Sequence, residues 1–261
     1  MKTFTKEDLI SRLEEISAMG WIENKRDGNH GGIGNTLEDL VGIEENNLPI
    51  PNASEWELKT QRLGTSSLTT LFHTEPSPTA LKFVPNVLLL KYGWPHKEAG
   101  TRYPETELSF RQTIHGLARS DRGFMVQVNR KEKKILISFD SKSVSKRHEI
   151  WLKSVEKKIG LSELNPQPYW GFEDLEHKLG AKLNNCFFVQ ASVKRTEGKE
   201  FYKYDHAMML MGLDFEGFLR CLEAGIILVD FDARTGHNHG TKFRIRQNNW
   251  PALYREKVTL F

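Results

Sequence analysis

The chain has little cysteine. Cys186 and Cys221 are its only two, no Cys-x-x-Cys occurs, and neither a disulfide framework nor a zinc ribbon can be built from them. Long apolar runs are missing too: nothing approaches the roughly 18 consecutive apolar residues that a membrane-spanning helix needs. The opening Met1-Lys2-Thr3-Phe4-Thr5-Lys6-Glu7-Asp8 is too polar for a secretory signal, so the expectation is a cytoplasmic protein with no membrane partner. Internal repeats and low-complexity tracts are absent, and 38% hydrophobic with 27% charged residues is the composition of a soluble globular protein. At 261 residues the chain suits one large domain or a domain with two lobes. Positive charge is scarce near the start: residues 1–60 hold six Lys/Arg against twelve Asp/Glu, and the remainder holds 31 against 22. An acidic segment suited to a cation is thus set in a basic remainder suited to a polyanion.

What is present is concentrated in one passage. Trp56 and Leu58 alternate with Glu55, Glu57 and Lys59, the period of a half-buried strand, which puts the three charged side chains on one face. A carboxylate there can hold a hard divalent cation that polarises a phosphodiester and lowers the pKa of a water. An ammonium two residues away can offset the charge that builds on the phosphate. Glu-x-Lys alone is far more often the ordinary make-up of a solvated strand face. Upstream, residues 24–34 read as a Gly-rich loop. A second helix beginning near Thr36 presents Glu38, and Pro49 and Pro51 lead into the Glu57 strand.

The rest of the chain yields a coarse map. Thr5 is an N-cap for a helix whose Leu9, Leu13 and Ile16 recur at helical spacing until Gly20. Residues 124–129 and 135–140 alternate around the basic tip Arg130-Lys131-Glu132-Lys133-Lys134 and predict a hairpin. A lysine-rich helix over 145–159 follows and stops at Gly160. Asn165-Pro166-Gln167-Pro168 is the best internal boundary. Beyond it come a helix over 172–183, strands over 187–191 and 201–210, a helix over 215–223 and an apolar strand over 226–231.

A second functional stretch runs from Asp230 to Arg244 as strand, polar turn and strand. It gathers the residue types that read base edges: Arg pairs with guanine, Asp accepts from cytosine, and Asn reads adenine. Asp230, Asp232, Arg234, His237, Asn238, His239, Lys242 and Arg244 are the candidates, and a two-stranded ribbon fits a major groove. His237-x-His239 also has the spacing of a zinc pair, but no third ligand stands nearby.

The passage from Gly28 to Lys59 resembles the MvaI and BcnI type II restriction endonucleases, relatives of the mismatch-repair nickase MutH among the PD-(D/E)XK nucleases. Further landmarks follow in the family's order: Trp21-Ile22-Glu23-Asn24-Lys25-Arg26, Ser67-Leu68-Thr69-Thr70-Leu71-Phe72, Tyr169-Trp170-Gly171-Phe172, Phe201-Tyr202-Lys203-Tyr204 and His237 through Arg244. The resemblance covers most of the chain and implies an α/β (α+β) fold, a mixed central sheet flanked by helices, with two lobes around a DNA cleft. Residues 1–165 would form mainly the catalytic lobe and 166–261 mainly the recognition lobe. It implies Mg²⁺-dependent hydrolysis at a short GC-rich site in double-stranded DNA, by a monomer nicking each strand in turn. A DNA methyltransferase would act on the same site without direct contact.

Carried onto this chain, the resemblance makes Glu38, Asn52, Glu57 and Lys59 the catalytic group, with the metal on Asn52 and Glu57. The family has Pro-Asp where this chain reads Pro51-Asn52, which removes a charged ligand. Either Glu55 substitutes, or the chain is a DNA-binding form that does not cut. Asp230 and Arg244 match the recognition positions, and Arg62 is counted with the DNA contacts. Asp232 stands where the resemblance leads one to expect an arginine. His237 would lie near the scissile phosphate, while His239 is structural. A MutH-like nickase serving mismatch repair is the alternative.

Overall fold

The computed structural model describes residues 4–25, 32–43 and 55–261; Asn52, and with it one of the expected metal ligands, lies outside the described residues. In chain order the elements are α1 (Lys6–Ala18), β1 (Ile22–Glu23), α2 (Gly32–Val41), β2 (Glu57–Arg62) and β3 (Leu68–His73), then a π-helical turn Val84–Leu89 running into α3 (Leu90–Tyr92). They continue as β4 (Trp94–Pro95), β5 (Leu108–Ile114), β6 (Arg122–Asn129), β7 (Lys134–Val144), α4 (Glu149–Ile159), β8 (Tyr169–Gly171) and α5 (Phe172–Leu183). Last come β9 (Asn185–Thr196), β10 (Lys199–Leu213), α6 (Phe215–Glu223), β11 (Ile227–Arg234), β12 (His237–Asn238), β13 (Lys242–Arg246) and β14 (Tyr254–Thr259).

These elements form two units, neither contiguous in sequence. The first draws on Met1–Ser67, Glu176–Phe215 and Gln247–Phe261, the second on Leu68–Leu175 and Glu216–Arg246. A single cut after residue 165 is therefore not where the chain divides: that point falls inside the second unit, where β8 pairs with β7.

The first unit is a mixed five-stranded sheet. β2 runs parallel to β9, with Glu57 opposite Cys186 and Lys59 opposite Phe188, and β9 and β10 form a long antiparallel hairpin. Its turn places Glu197 and Gly198 at φ 53° and 78°, the left-handed pair that a two-residue hairpin loop requires. Both strands outrun the predicted 187–191 and 201–210, because charged residues continue the pairing beyond the apolar stretch, Arg195 opposite Glu200 among them. The other edge of β10 is shared by β1 at Phe201 and Tyr202 and by β14 from Met208 to Leu213.

One face of this sheet is buried under helices. Trp56, Leu58, Phe187, Val189, Tyr202, Tyr204 and Met209 pack against Leu9, Leu13 and Ile16 of α1 and Ile33, Leu37 and Val41 of α2. Each such side chain contributes about 1.5–3 kcal/mol of transfer free energy. Thr5 caps α1 in a capping box with Asp8, as its position predicts. α2 begins at Gly32, earlier than the predicted start near Thr36. The reason is packing: a Cβ at Gly32 would lie 2.6 Å from the Tyr202 hydroxyl and 2.7 Å from Asn24 Nδ2. This glycine serves close approach, and the helix runs through it.

The second unit holds an antiparallel sheet in the order β3-β13-β11-β5-β4, with β12 on β11, and a three-stranded sheet β6-β7-β8. An aromatic core joins Tyr92, Phe110, Phe124, Phe139 and Trp151, with ring centroids 5.0–6.5 Å apart. The predicted hairpin is β6–β7. Its tip is less free for a polyanion than its sequence suggests: Arg130 is held by Glu216 at 2.7 Å and Glu223 at 3.1 Å.

Candidate active site and base-reading face

Strand alternation sorts the residues of β2. Trp56 and Leu58 turn to the helix-covered core, which leaves Glu57, Lys59 and Gln61 on the opposite face. Glu57 is only 1% exposed, and its Oε1 is ion-paired with the Lys59 ammonium. A second ammonium, Lys182 of α5, lies 3.8 Å from the same oxygen. Lys59 and Lys182 keep 23% and 33% of their side-chain surface in solvent. A carboxylate so deeply buried stays charged only with such partners.

Besides the two ammonium groups, Glu57 has Cys186 and Tyr254 near it, and both are neutral. Burial pushes the Cys186 thiol up to about 12, and burial together with Cys186 and Glu57 holds the Tyr254 phenol well above its ordinary value. Both therefore stay protonated near neutral pH and bring no competing negative charge. Gln61 is tied down, donating to the Thr65 carbonyl at 2.8 Å and accepting from Gln190 at 2.8 Å.

The other expected site residues of this unit are placed as follows. Glu55 is exposed in the turn before β2. Glu38 is half-buried on α2, the helix that packs on β2 through Leu37 and Leu58. Among the described residues no three His, Cys, Asp or Glu side chains converge as a metal group, so Glu38, Glu55 and Glu57 do not form one. Glu57 alone still suits a small hard cation, which takes one or two carboxylates and completes its shell from phosphate oxygens and water. Arg62 is engaged by the protein itself: its Nη2 is 2.9 Å from Glu200, and its guanidinium lies 5.8 Å from the Tyr202 ring centre. Hydrogen bonds from Tyr202, Arg195 and Arg62 hold the Glu200 carboxyl below the usual range.

The second unit presents the Asp230–Arg244 stretch as β11, β12 and β13. Along β11, Val229, Phe231 and Ala233 are buried, whereas Asp230, Asp232 and Arg234 share the open face. Asp230 accepts from Thr113 at 2.8 Å and from Arg244 Nη1 at 3.1 Å; Arg244 Nη2 donates to the Leu68 carbonyl at 3.1 Å. Arg234 donates to buried Glu107 at 3.1 Å and lies 4.7 Å over Tyr103. Lys242, opposite Asp230 on β13, is half-buried. His237 and His239 are exposed with rings 4.4 Å apart and nearly perpendicular, and no third metal ligand joins them among the described residues. Asn238 Oδ1 accepts from Gly240, and Glu75 fastens the turn through Thr241 N at 2.9 Å.

Sequence reasoning passed over Arg111, Glu75, Lys182 and Tyr254. Only Arg111 carried a signal, the alternation of Leu108-Ser109-Phe110-Arg111 in β5. The others reach these sites from segments remote in sequence.

A family model described as the MvaI/BcnI restriction endonuclease family matches residues 10–254. The chain belongs to that family. It is accordingly a restriction endonuclease, a site-specific deoxyribonuclease by class. Among solved structures, the complex of restriction endonuclease MvaI with its cognate DNA substrate is similar to this endonuclease at 25% identity and a TM-score of 0.74, covering 99% of this chain and 100% of that one. MvaI in the absence of DNA is similar at 25% identity and a TM-score of 0.59, with both chains fully covered. A comparison with curated proteins returned no match.

Proposed function

We propose that this endonuclease binds double-stranded DNA and hydrolyses phosphodiester bonds at a short GC-rich site with Mg²⁺, as a monomer of the MutH-like, PD-(D/E)XK type that nicks each strand in turn. The observation carrying the proposal is the Glu57–Lys59 pair on one strand face of the first unit, in a chain of restriction endonuclease family. Glu57 holds the cation. Lys59, once Glu57 turns toward that cation, offsets charge on the scissile phosphate. What the ion supplies when bound is polarisation of the phosphate and a water that gives up its proton more readily. Glu38 and Glu55 are not grouped with Glu57 among the described residues and take no ligand role in this scheme, and His237 holds a phosphate oxygen. Asp230, Asp232, Arg234, Asn238, His239, Lys242 and Arg244 form the reading face, and Arg62 is a backbone contact released from Glu200. A methyltransferase of the same specificity would protect the site in the cytoplasm without touching this chain.

Asn52 is the exception within this scheme, since an amide oxygen gives the metal no charge. It favours a second reading, a chain that binds its site without cutting. Digesting a sequenced plasmid with Mg²⁺, using this chain and Asn52→Asp side by side, decides between them. The expected outcome is discrete fragments from Asn52→Asp, none when EDTA replaces Mg²⁺, and binding alone from the asparagine form. Run-off sequencing of the ends then gives the site. Cutting by neither protein, with Glu57→Ala binding as the parent does, would remove hydrolysis from the proposal.

A further inference from the structure

The open face of the larger sheet in the second unit carries three guanidinium–carboxylate pairs side by side, and they are not alike. Arg244 has both Nη groups engaged, one on Asp230 and one on the Leu68 carbonyl, and is 28% exposed. Arg234 is tied to Glu107 and stacked on Tyr103. Arg111 differs. It stands on β5 directly opposite Asp232 of β11, is 71% exposed, and reaches Asp232 only through Nε, at 3.5 Å. Its two Nη groups carry no hydrogen bond among the described residues.

The pair is a good complement to one kind of base pair. In the major groove, guanine presents O6 and N7 as adjacent acceptors, and its partner cytosine presents the N4 amino group as a donor beside them. Directly opposed residues in an antiparallel ladder have Cβ atoms about 4.5–5.5 Å apart. A free guanidinium fork next to a carboxylate thus offers donor, donor, acceptor in the order in which a G·C edge offers acceptor, acceptor, donor. Arg244 cannot do this without giving up two protein hydrogen bonds, and the second oxygen of Asp230 is occupied by Thr113. The concave surface next to the pair, lined by Lys97, Glu98, Arg102, Tyr103 and His239, has more positive than negative charge and no large apolar wall.

We infer that Arg111 and Asp232 together read a single G·C base pair, Arg111 on guanine and Asp232 on cytosine. The inference rests on the reading of this chain as a sequence-specific DNA-binding endonuclease. Arg111 is a specificity residue with no part in bond cleavage.

The test is selection of bound duplexes from a randomised library by the full chain without Mg²⁺, followed by sequencing. The parent should enrich a motif. Arg111→Ala should keep that motif except at one G·C position, which becomes degenerate. Affinity for the parent's best duplex should fall about 5- to 150-fold, equivalent to 1–3 kcal/mol, with random duplex bound within about twofold of the parent. Arg111→Lys, which keeps the charge without the fork, should lose the same position, and Asp232→Asn should change preference there. An unchanged motif from Arg111→Ala, equal weakening on selected and random duplex, or rescue by lysine overturns the assignment and makes Arg111 at most a phosphate contact. A parent that enriches no motif at all overturns the DNA-reading premise, and the inference with it.

Discussion

Replacing Lys59 by methionine removes the nearest counter-charge of a carboxylate that is 1% exposed, with the Lys182 ammonium remaining at 3.8 Å. Loss of one partner from a buried ion pair costs about 3–5 kcal/mol. Lys182 offsets part of this, so the lower end applies, about 3 kcal/mol, or roughly 6–12 °C in melting temperature at 2–4 °C per kcal/mol. Glu57→Gln is the milder change, about 1 kcal/mol, because it removes the buried charge itself and leaves two lysines that already reach solvent. The double variant Glu57→Leu/Lys59→Met, apolar and close in volume, should return to parental stability or above. Urea unfolding followed by far-ultraviolet circular dichroism, without divalent cations, measures all three. Equal losses for Lys59→Met and Glu57→Gln, or a double variant no better than Lys59→Met, would refute the argument that the pair is held at the expense of stability. In the Asn52→Asp background every one of these variants should fail to cut while still binding DNA.

Arg244→Ala should weaken binding to the selected site by about 1–3 kcal/mol and also lower the unfolding midpoint, since Asp230 keeps only the Thr113 donor described above and the Leu68 carbonyl loses the Arg244 one. Binding loss without destabilisation would show that its bonds to the protein matter little. Gly32→Ala should destabilise by about 1–3 kcal/mol, because the added methyl meets Tyr202 and Asn24 at 2.6 and 2.7 Å; a neutral result in thermal melts would mean α2 shifts freely. Glu200→Gln tests a pH dependence. The Glu200 carboxyl is depressed in the folded state, so its stabilising contribution is present above the unfolded carboxylate range and disappears as pH falls through the lowered folded value. The gap between parent and Glu200→Gln should be open at pH 7 and shrink as pH falls below the ordinary carboxylate range, and a gap undiminished in acid would contradict the assignment.

Local chemistry carried much of the fold. The alternation around Trp56 and Leu58 sets the facing of β2, Thr5 starts α1, and the basic tip marks the β6–β7 hairpin, since each depends on neighbours within a few residues. What local chemistry cannot carry is depth. That Glu57 is fully buried follows from β9 and β14 bringing Cys186 and Tyr254 beside it, and that Lys182 attends it follows from where α5 ends. Arg62 reads as a free cation for the same reason, because Glu200 meets it only across the sheet. The prolines at 166 and 168 look like a domain boundary, yet the strand after them belongs with β7. The polar and charged side chains on the open face of β11 and β13 were legible as a set of residue types. Their partner strand β5 was not, since pairing between distant strands leaves no trace in either one alone.

The first unit closes on a late strand. Its sheet needs β14 along β10, with Leu260 and Phe261 still exchanging hydrogen bonds with Ala207. The second unit has its last segment in hand by Arg246. Every segment of the second unit is thus in place by Arg246, while the Glu57 unit up to that point still has an open sheet edge along β10.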